Sequence, residues 1–200
     1  MSDREFLSHR LESGLPVILP TETVYGIFAK ALSEEAVDLV YTLKDRPREK
    51  AMNLNVSTFE DILTFSKNQP DYLKKLYDAF LPGPLTVILE ANDQVPNWIN
   101  SGLKSVGFRL PSHPMTRALI ATHGPLIGPS ANKSSQESGK YYKDIFATFD
   151  GQVPGYEDDA FLEGIDSTII DLSGEKARIL RRGEISKEAI LAVVPEIPFD

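Results

Sequence analysis

The side chains able to do chemistry in this chain of 200 residues are hydroxyls, amides and cations rather than thiols or metal ligands. Cysteine is absent, which removes disulfides, thiolate catalysis and cysteine-ligated zinc together. The three histidines, His9, His113 and His123, accompany no G-x-S-x-G elbow, no H-E-x-x-H and no H-x-E…C-x-x-C. Nucleophilic triads, zinc proteases and zinc deaminases are therefore disfavoured, and each histidine reads as structural or exposed. The phosphate loops G-x-x-x-x-G-K-[ST] and G-x-G-x-x-G are missing as well. What remains is Lys44, Arg46, Lys50, Arg109 and Arg181, with the hydroxyls of Thr21, Thr23, Ser130 and Ser138. Such a set can hold polyanions without a covalent step, and phosphoryl and nucleotidyl transfer need mainly positioning and charge neutralisation.

The densest part of that set is residues 44–50, KDRPREK, in which Lys44, Arg46, Arg48 and Lys50 face only Asp45 and Glu49 in a chain of net charge −8. Charge alone leaves two readings open: a solvated helix end whose cations suit the dipole, or a patch for phosphate. The overall acidity argues against a generally basic nucleic-acid binder without excluding a local patch. No apolar run is long enough to cross a bilayer, and the N-terminus MSDREFLSHRLES mixes charges into what a signal peptide would keep apolar. The expectation is a soluble, cytoplasmic protein with no membrane contact.

The elements that must position these groups alternate short β-branched runs with amphipathic stretches, the pattern of an α/β domain. With 42% apolar residues the chain can bury a substantial core, and one domain over 1–200 is expected. A helix over 3–13 ends at Gly14 and PVILP follows as a buried strand; the residues from Thr21 to Ser33 then read as a loop. Ser33 caps a helix with apolar Ala36, Val37, Leu39, Val40 and Leu43, whose C-terminal end carries Lys44 and Arg46. MNLNV reads as a strand, and Ser57-Thr58-Phe59-Glu60 has the spacing of a capping box opening a short helix towards Phe65. A helix over about 70–80 stops at Pro82-Gly83-Pro84. LTVILEA, SVGFRL, PLIG, STIIDL and ARILRRG read as strands, with helices over HPMTRALIATHG, near 140–149 and at the C-terminus. Thr21, Thr23, Asn55, Arg109, Ser130, Asn132 and Ser167 fall near strand ends, where ligands gather in open α/β sheets.

From about residue 5 to 190 these motifs resemble, in order, those of the threonylcarbamoyl-AMP synthase family, whose domain is called YrdC-like. PTETVYG resembles the family's opening loop, KDR its K-x-R element, and LPGPLTVIL its central strand entry. VGFRLP resembles its V-x-x-R-x-P stretch, PSAN its S-x-N element, IDSTIID its S-T-hydrophobic strand and ILRRG its closing basic strand. The resemblance implies a twisted, mostly open α/β sheet with flanking helices around a large electropositive cavity. It implies that L-threonine, bicarbonate or CO2, and ATP with Mg²⁺ give threonylcarbamoyl-AMP and pyrophosphate. The product then passes to a tRNA-modifying threonylcarbamoyl transferase complex, and no resident metal site is implied.

The same resemblance implies site roles. Lys44 and Arg46 are catalytic and, with Lys50, Ser105, Ser130, Asn132, Ser138 and Arg181, bind ATP. Thr23, Tyr25, Asn55, Arg109, Gly128 and Ser167 bind threonine, with Arg109 suited to its carboxylate. Taken singly, Thr21 and Thr23 could merely cap a turn, Ser130 and Asn132 form a loop, and Ser167 sit plainly in a strand; their order in the chain favours the functional reading. Four positions depart from the family's pattern. Phe28 stands where glycine is usual and is expected to narrow the cavity mouth. Met52 follows Ala51 where Pro-Leu is usual, and Asn55, which cannot carry a proton at neutral pH, replaces histidine. Ser135 replaces a glycine, which implies an altered loop if that glycine supports a positive φ. The chain reads as the short form without the family's additional C-terminal domain, and the acidic stretch 157–166 as a solvated loop or a mobile lid. The rival of another class is a non-catalytic module holding tRNA or double-stranded RNA in the basic cavity. The related carbamoyltransferase of hydrogenase maturation is disfavoured by the absence of its zinc cysteines and extra domains, and a dihydroxybutanone-phosphate synthase by the lack of an acidic metal motif.

Overall fold

A computed structural model describes residues 1–200. Eight strands form one sheet: β1 (Val17–Pro20), β2 (Tyr25–Lys30), β3 (Leu54–Asn55), β4 (Leu85–Glu90), β5 (Ser105–Arg109), β6 (Leu126–Ile127), β7 (Thr168–Asp171) and β8 (Arg178–Arg181). Their order is β1-β2-β6-β3-β5-β4-β7-β8. The pairs β3/β5 and β4/β7 are parallel and the rest antiparallel. Eight helices flank it: α1 (Asp3–Glu12), α2 (Glu34–Lys44), α3 (Phe59–Phe65), α4 (Leu73–Phe80), α5 (Asn97–Asn100), α6 (Pro114–His123), α7 (Tyr142–Thr148) and α8 (Lys187–Val193).

The two faces of the sheet are sorted by the period of two that extended chain imposes. Along β1 and β2, Ile18, Tyr25, Ile27 and Ala29 enter the main core, while Val17, Leu19 and Phe28 join a second cluster with Leu7 and Leu11 of α1 and Leu119 and Ile120 of α6. Leu7 and Leu11 meet that face because residues four apart share one side of a helix. The α1 N-terminus is closed by a capping box in which the Ser2 hydroxyl accepts from Glu5 N–H and the Glu5 carboxylate from Ser2 N–H.

Three local expectations shift. The residues after β1 are not all loop: Tyr25–Lys30 is a strand, registered Pro20↔Tyr25 and Val17↔Phe28 in a hairpin with β1. The capping box of α3 lies one residue on, with Thr58 as cap and Asp61 as its partner, because the Asp61 carboxylate also accepts the Ser57 N–H and hydroxyl. The strand expected over 52–56 is paired only at Leu54 and Asn55, and Asn97–Asn100 adds a short helix.

Candidate active site

The four residues that turn β1 into β2 are organised by one hydroxyl. Thr21 Oγ1 donates to the Val24 carbonyl at 2.6 Å and accepts from the N–H groups of Thr23 and Val24, both at 3.2 Å. A threonine at the start of a tight turn commonly replaces backbone bonds in this way. The turn presents Thr21, Glu22 and Thr23 to Arg109, the last residue of β5. Arg109 Nη2 lies 2.7 Å from Glu22 Oε1 and 2.7 Å from Thr23 Oγ1, while its buried Nε has no partner. Glu22 Oε2 in turn accepts from Ser112 N–H at 2.8 Å and from its hydroxyl at 3.1 Å. Burial alone would raise the Glu22 carboxyl, but the Arg109 charge and the Ser112 N–H outweigh it and hold it below the usual carboxylate range.

A cavity of about 300 Å³ opens beside this cluster. Its walls include Thr21, Tyr25, Gly26, Arg46, Met52, Asn55, Thr86, Arg109, Gly128, Ser130, Asp166, Ser167 and Arg181. The sheet brings them together: Asn55 and Arg109 are registered partners in β3 and β5, and Gly26 bridges to Ser130. Ser167 precedes β7, and its hydroxyl lies 3.1 Å from Thr86 Oγ1 of β4 and 3.0 Å from Arg181 Nη2 of β8. The Asn55 amide donates to the Leu126 carbonyl at 3.3 Å. Three arginines, Arg46, Arg109 and Arg181, thus face a chamber whose one lining carboxylate is Asp166.

The expectation that Phe28 narrows the mouth is overturned. Phe28 is fully buried beneath the floor. A Cβ on Gly26 would lie 2.6 Å from its Cε2, and a Cβ on Gly128 2.5 Å from its Cε1, so the ring occupies the space both glycines leave. Burying such a ring contributes roughly 2–3 kcal/mol.

The KDR element is divided by its own backbone. Asp45 ends α2 in the left-handed region at φ 50°, so Lys44 and Arg46 leave the turn in different directions. Arg46 reaches the inner chamber, donating from Nε to the Lys50 carbonyl at 3.2 Å and from Nη2 to the Ala51 carbonyl at 2.8 Å. Lys44 is buried and lines no chamber; its Nζ donates to the carbonyls of Ser130 and Asn132, each at 2.5 Å, and its own carbonyl accepts from Ser134 N–H. Burial, with the charges of Arg46 and Lys133 adding to it, pushes the ammonium down to about 7. Two carbonyl acceptors at that distance favour the protonated form, and the charged donor is the better account of so short a pair of bonds.

A second chamber of about 650 Å³ adjoins the first through Val24, Ser130, Asp166 and Arg181, which line both. Its remaining walls come from loop 132–141, with Asn132, Ser138, Lys140 and Tyr141, and from the acidic stretch, with Asp159, Leu162, Glu163 and Gly164. This outer chamber is acidic: Lys140 and Arg181 face Glu137, Asp159, Glu163 and Asp166. Arginines are thus concentrated in the inner part of the space and carboxylates in the outer.

The acidic stretch is a strap tied to the turn below it. Glu163 N–H and Gly164 N–H donate to the carbonyls of Glu22 and Thr23, both at 2.9 Å. The Tyr25 hydroxyl donates to Asp159 Oδ1 at 2.7 Å and accepts from Asp158 N–H at 2.9 Å. Burial and the Asp159 bond push that phenol above its usual range. His113, the cap of α6, accepts Met115 N–H at Nδ1 and so presents Nε2–H to Asp158 Oδ2 at 3.1 Å.

Of the residues expected to bind ATP, Arg46, Ser130 and Arg181 line the inner chamber, and Ser130, Asn132, Ser138 and Arg181 the outer. Lys50 does not: its carbonyl serves Arg46 and Tyr41, and its side chain is exposed. Nor does Ser105, which begins β5 while Arg109 ends it, about 13 Å away along an extended strand. Of those expected to bind threonine, Tyr25, Asn55, Arg109, Gly128 and Ser167 line the inner chamber. Thr23 lines the outer one, with its hydroxyl on Arg109. Residues not anticipated are Glu22, Thr86 and Asp166. The signal for Glu22 was present: a carboxylate between two threonines directly after a buried strand has little access to water.

The sequence model of the Sua5_yciO_yrdC family, described as telomere recombination, matches residues 9–183. A threonylcarbamoyl-AMP synthase of Pyrococcus abyssi (strain GE5 / Orsay) is 34% identical over 189 residues, which are 94% of this chain and 56% of that protein. A crystal structure of P. abyssi Sua5 complexed with L-threonine aligns with a TM-score of 0.89 at 31% identity, covering 98% of this chain and 58% of that one. The crystal structure of E. coli YciO, at 21% identity, shares the fold with a TM-score of 0.82 over 96% of this chain and 95% of its own. This chain thus spans just over half the length of the Pyrococcus protein.

Proposed function

The chain belongs to the Sua5–YciO–YrdC family, and from that membership we propose that it is a threonylcarbamoyl-AMP synthase, joining L-threonine, bicarbonate or CO2, and ATP with release of pyrophosphate. The observation that carries the reading is the inner chamber, where Arg109, held by the protein at Nη2 alone, stands beside hydroxyls and two further arginines. An amino-acid carboxylate supplies the acceptor that Nη1 lacks, and Ser167, Thr86 and Asn55 are placed for the polar remainder of threonine. The threonine amine, carrying CO2 as a carbamate, directs a carbamate oxygen at the α-phosphorus; that oxygen forms the new P–O bond as the bond to pyrophosphate breaks. Arg46 and Arg181 neutralise charge developing on phosphate oxygens, a contribution that is large because both are held in place before the ligand arrives. Lys44 acts one step back, fixing the Ser130–Ser134 loop from beneath.

The nucleoside fits the outer chamber, where Ser138 and the carboxylates of Glu137 and Glu163 offer partners for hydroxyls rather than for phosphate. Mg²⁺ would enter with the triphosphate. The chain has no group of three or more His, Asp or Glu side chains to keep a resident ion. Mg²⁺ commonly needs only one or two carboxylates besides phosphate and water, and Asp166, between the chambers, fits that requirement. The adenylate would pass to a tRNA-modifying threonylcarbamoyl transferase complex in the cytoplasm; no helix of the chain is long and apolar enough to cross a membrane.

The test is incubation with threonine, bicarbonate, ATP and Mg²⁺, following pyrophosphate and the adenylate. Threonine-dependent release is expected. Its absence, together with tight tRNA binding, would favour the RNA-holding module instead. The acidic outer chamber already counts against that alternative, because an RNA backbone would meet four carboxylates there.

A further inference from the structure

Glu22 is a buried carboxylate that lines neither chamber, yet three separate parts of the fold converge on it. Its Oε1 takes Arg109 Nη2 of β5 at 2.7 Å, and its Oε2 takes the N–H and hydroxyl of Ser112, just before α6. Its backbone carbonyl takes Glu163 N–H of the strap. We propose that Glu22 is the positioning residue of the amino-acid subsite: it fixes the Arg109 guanidinium by Nη2 and so leaves Nη1 for the substrate carboxylate. This rests on the synthase reading for the identity of that carboxylate, but not for the geometry.

A free arginine side chain samples many rotamers and would pay for ordering when it grips a ligand. Here that ordering is complete beforehand. Glu22 and Thr23 both hold Nη2 at 2.7 Å, Thr21 Oγ1 stands at 3.4 Å, and no protein acceptor reaches Nε or Nη1. The carboxylate is itself immobile, since both its oxygens are occupied from different elements. A plain structural ion pair would need neither the unpaired Nη1 nor a place beside the chamber. The pairing also sets selectivity. With Glu22 beside it, the guanidinium is partly neutralised, so the subsite suits one carboxylate rather than a polyphosphate, which leaves the triphosphate to Arg46 and Arg181.

Glu22→Gln keeps an acceptor of the same shape and removes the charge. In threonine-dependent pyrophosphate release its threonine KM is expected to rise about tenfold, while kcat stays within about threefold and the ATP KM within about twofold. A merely structural role would move both KM values together or neither, and either result in a folded variant overturns the proposal. A second readout needs no substrate. In ¹⁵N NMR of the wild type the Arg109 Nε–H is expected as a resolved, slowly exchanging resonance that broadens or shifts in Glu22→Gln; an unchanged resonance overturns the proposal. If Glu22→Gln fails to fold, Glu22→Asp, which keeps charge and withdraws the reach, is read the same way. Wild-type protein that releases no pyrophosphate with threonine would sink the synthase reading alone, leaving the NMR comparison to decide the role of Glu22.

Discussion

The two chambers differ in charge, arginines inside and carboxylates outside, and they are also built in different ways. In the inner one, Arg46, Arg109, Ser167 and Arg181 each already bond to protein, and most of the walls are strands or residues next to them. In the outer one, Gln136, Glu137, Lys140, Tyr141 and Glu163 are exposed side chains on loop 132–141 and the strap. Side chains already bonded to the frame cannot relax freely when a partner is removed, whereas exposed, unbonded ones are replaced by water at little cost. The inner chamber should thus carry the strict, charge-bearing part of the reaction and the outer the tolerant part, so substitutions in the two should differ in cost by at least an order of magnitude.

The largest expected effect is Arg109→Ala. It removes the proposed carboxylate donor and leaves Glu22 buried without its partner, so kcat/KM for threonine should fall by about a hundredfold or more. Melting should also show a loss of about 3–5 kcal/mol. The double variant Glu22→Gln with Arg109→Met should recover much of the stability and none of the threonine dependence. Full activity in Arg109→Ala would break the distinction outright. Next is Lys44→Met, which strands the carbonyls of Ser130 and Asn132 without their donor. A loss of about 2–3 kcal/mol and a roughly tenfold rise in ATP KM should follow. A collapse of kcat at unchanged stability would show instead that Lys44 leaves its carbonyls and acts directly on phosphate.

Glu22 also gives the inner chamber a pH signature. Its folded carboxyl is held below the usual range, so the stability it contributes is present above the usual carboxylate pKa and lost as pH falls through the folded value. Arg109 faces it with the opposite sign, while Glu184, pushed up by burial and by its bond with Glu163, faces it with the same sign. The melting-temperature gap between wild type and Glu22→Gln should therefore be widest near neutrality and close on acidification below about 4. A gap that widens in acid would contradict that sign. In the outer chamber Ser138→Ala should raise the ATP KM no more than about threefold, since water can replace a half-buried hydroxyl. A thirtyfold effect there would remove the contrast between chambers.

How much of this was legible in the sequence follows from which interactions are local. Ser33, Glu34 and Glu35 announce the start of α2, because caps are made within one turn; the same local rule closes α1 with Ser2 and Glu5, a pair not anticipated from the sequence. YGIFAK was not legible as a strand: a glycine and a terminal lysine break the pattern, and what makes it β2 is pairing with β1 and β6. The spacing of Lys44, Arg46 and Lys50 suggested one phosphate patch, but the left-handed turn at Asp45 sends Lys44 inward and leaves Lys50 outside. Composition reported charges without saying which are covered, so the acidic outer chamber was invisible until the strap 157–166 folded over the turn at Thr21–Val24.

The smallest expected effect concerns the loop that walls the outer chamber. Ser135, in place of the family's usual glycine, adopts φ 68°, so the backbone keeps the left-handed conformation and the side chain bears its cost. That cost is roughly 1–2 kcal/mol for an ordinary L-residue, partly offset because glycine loses more freedom on folding. The loop is held from several sides: Ser134 N–H reaches the Lys44 carbonyl, and the Asn132 amide spans the carbonyls of Lys133 and Gln136. Ser135→Gly should thus raise stability by about 0.5–1 kcal/mol, seen as a melting temperature higher by roughly 1–4 °C, with ATP and threonine KM unchanged. A fall in stability would mean that the loop gains more from the stiffness of Ser135 than it loses to strain. The nucleotide side of the site would then be less tolerant than its exposure suggests.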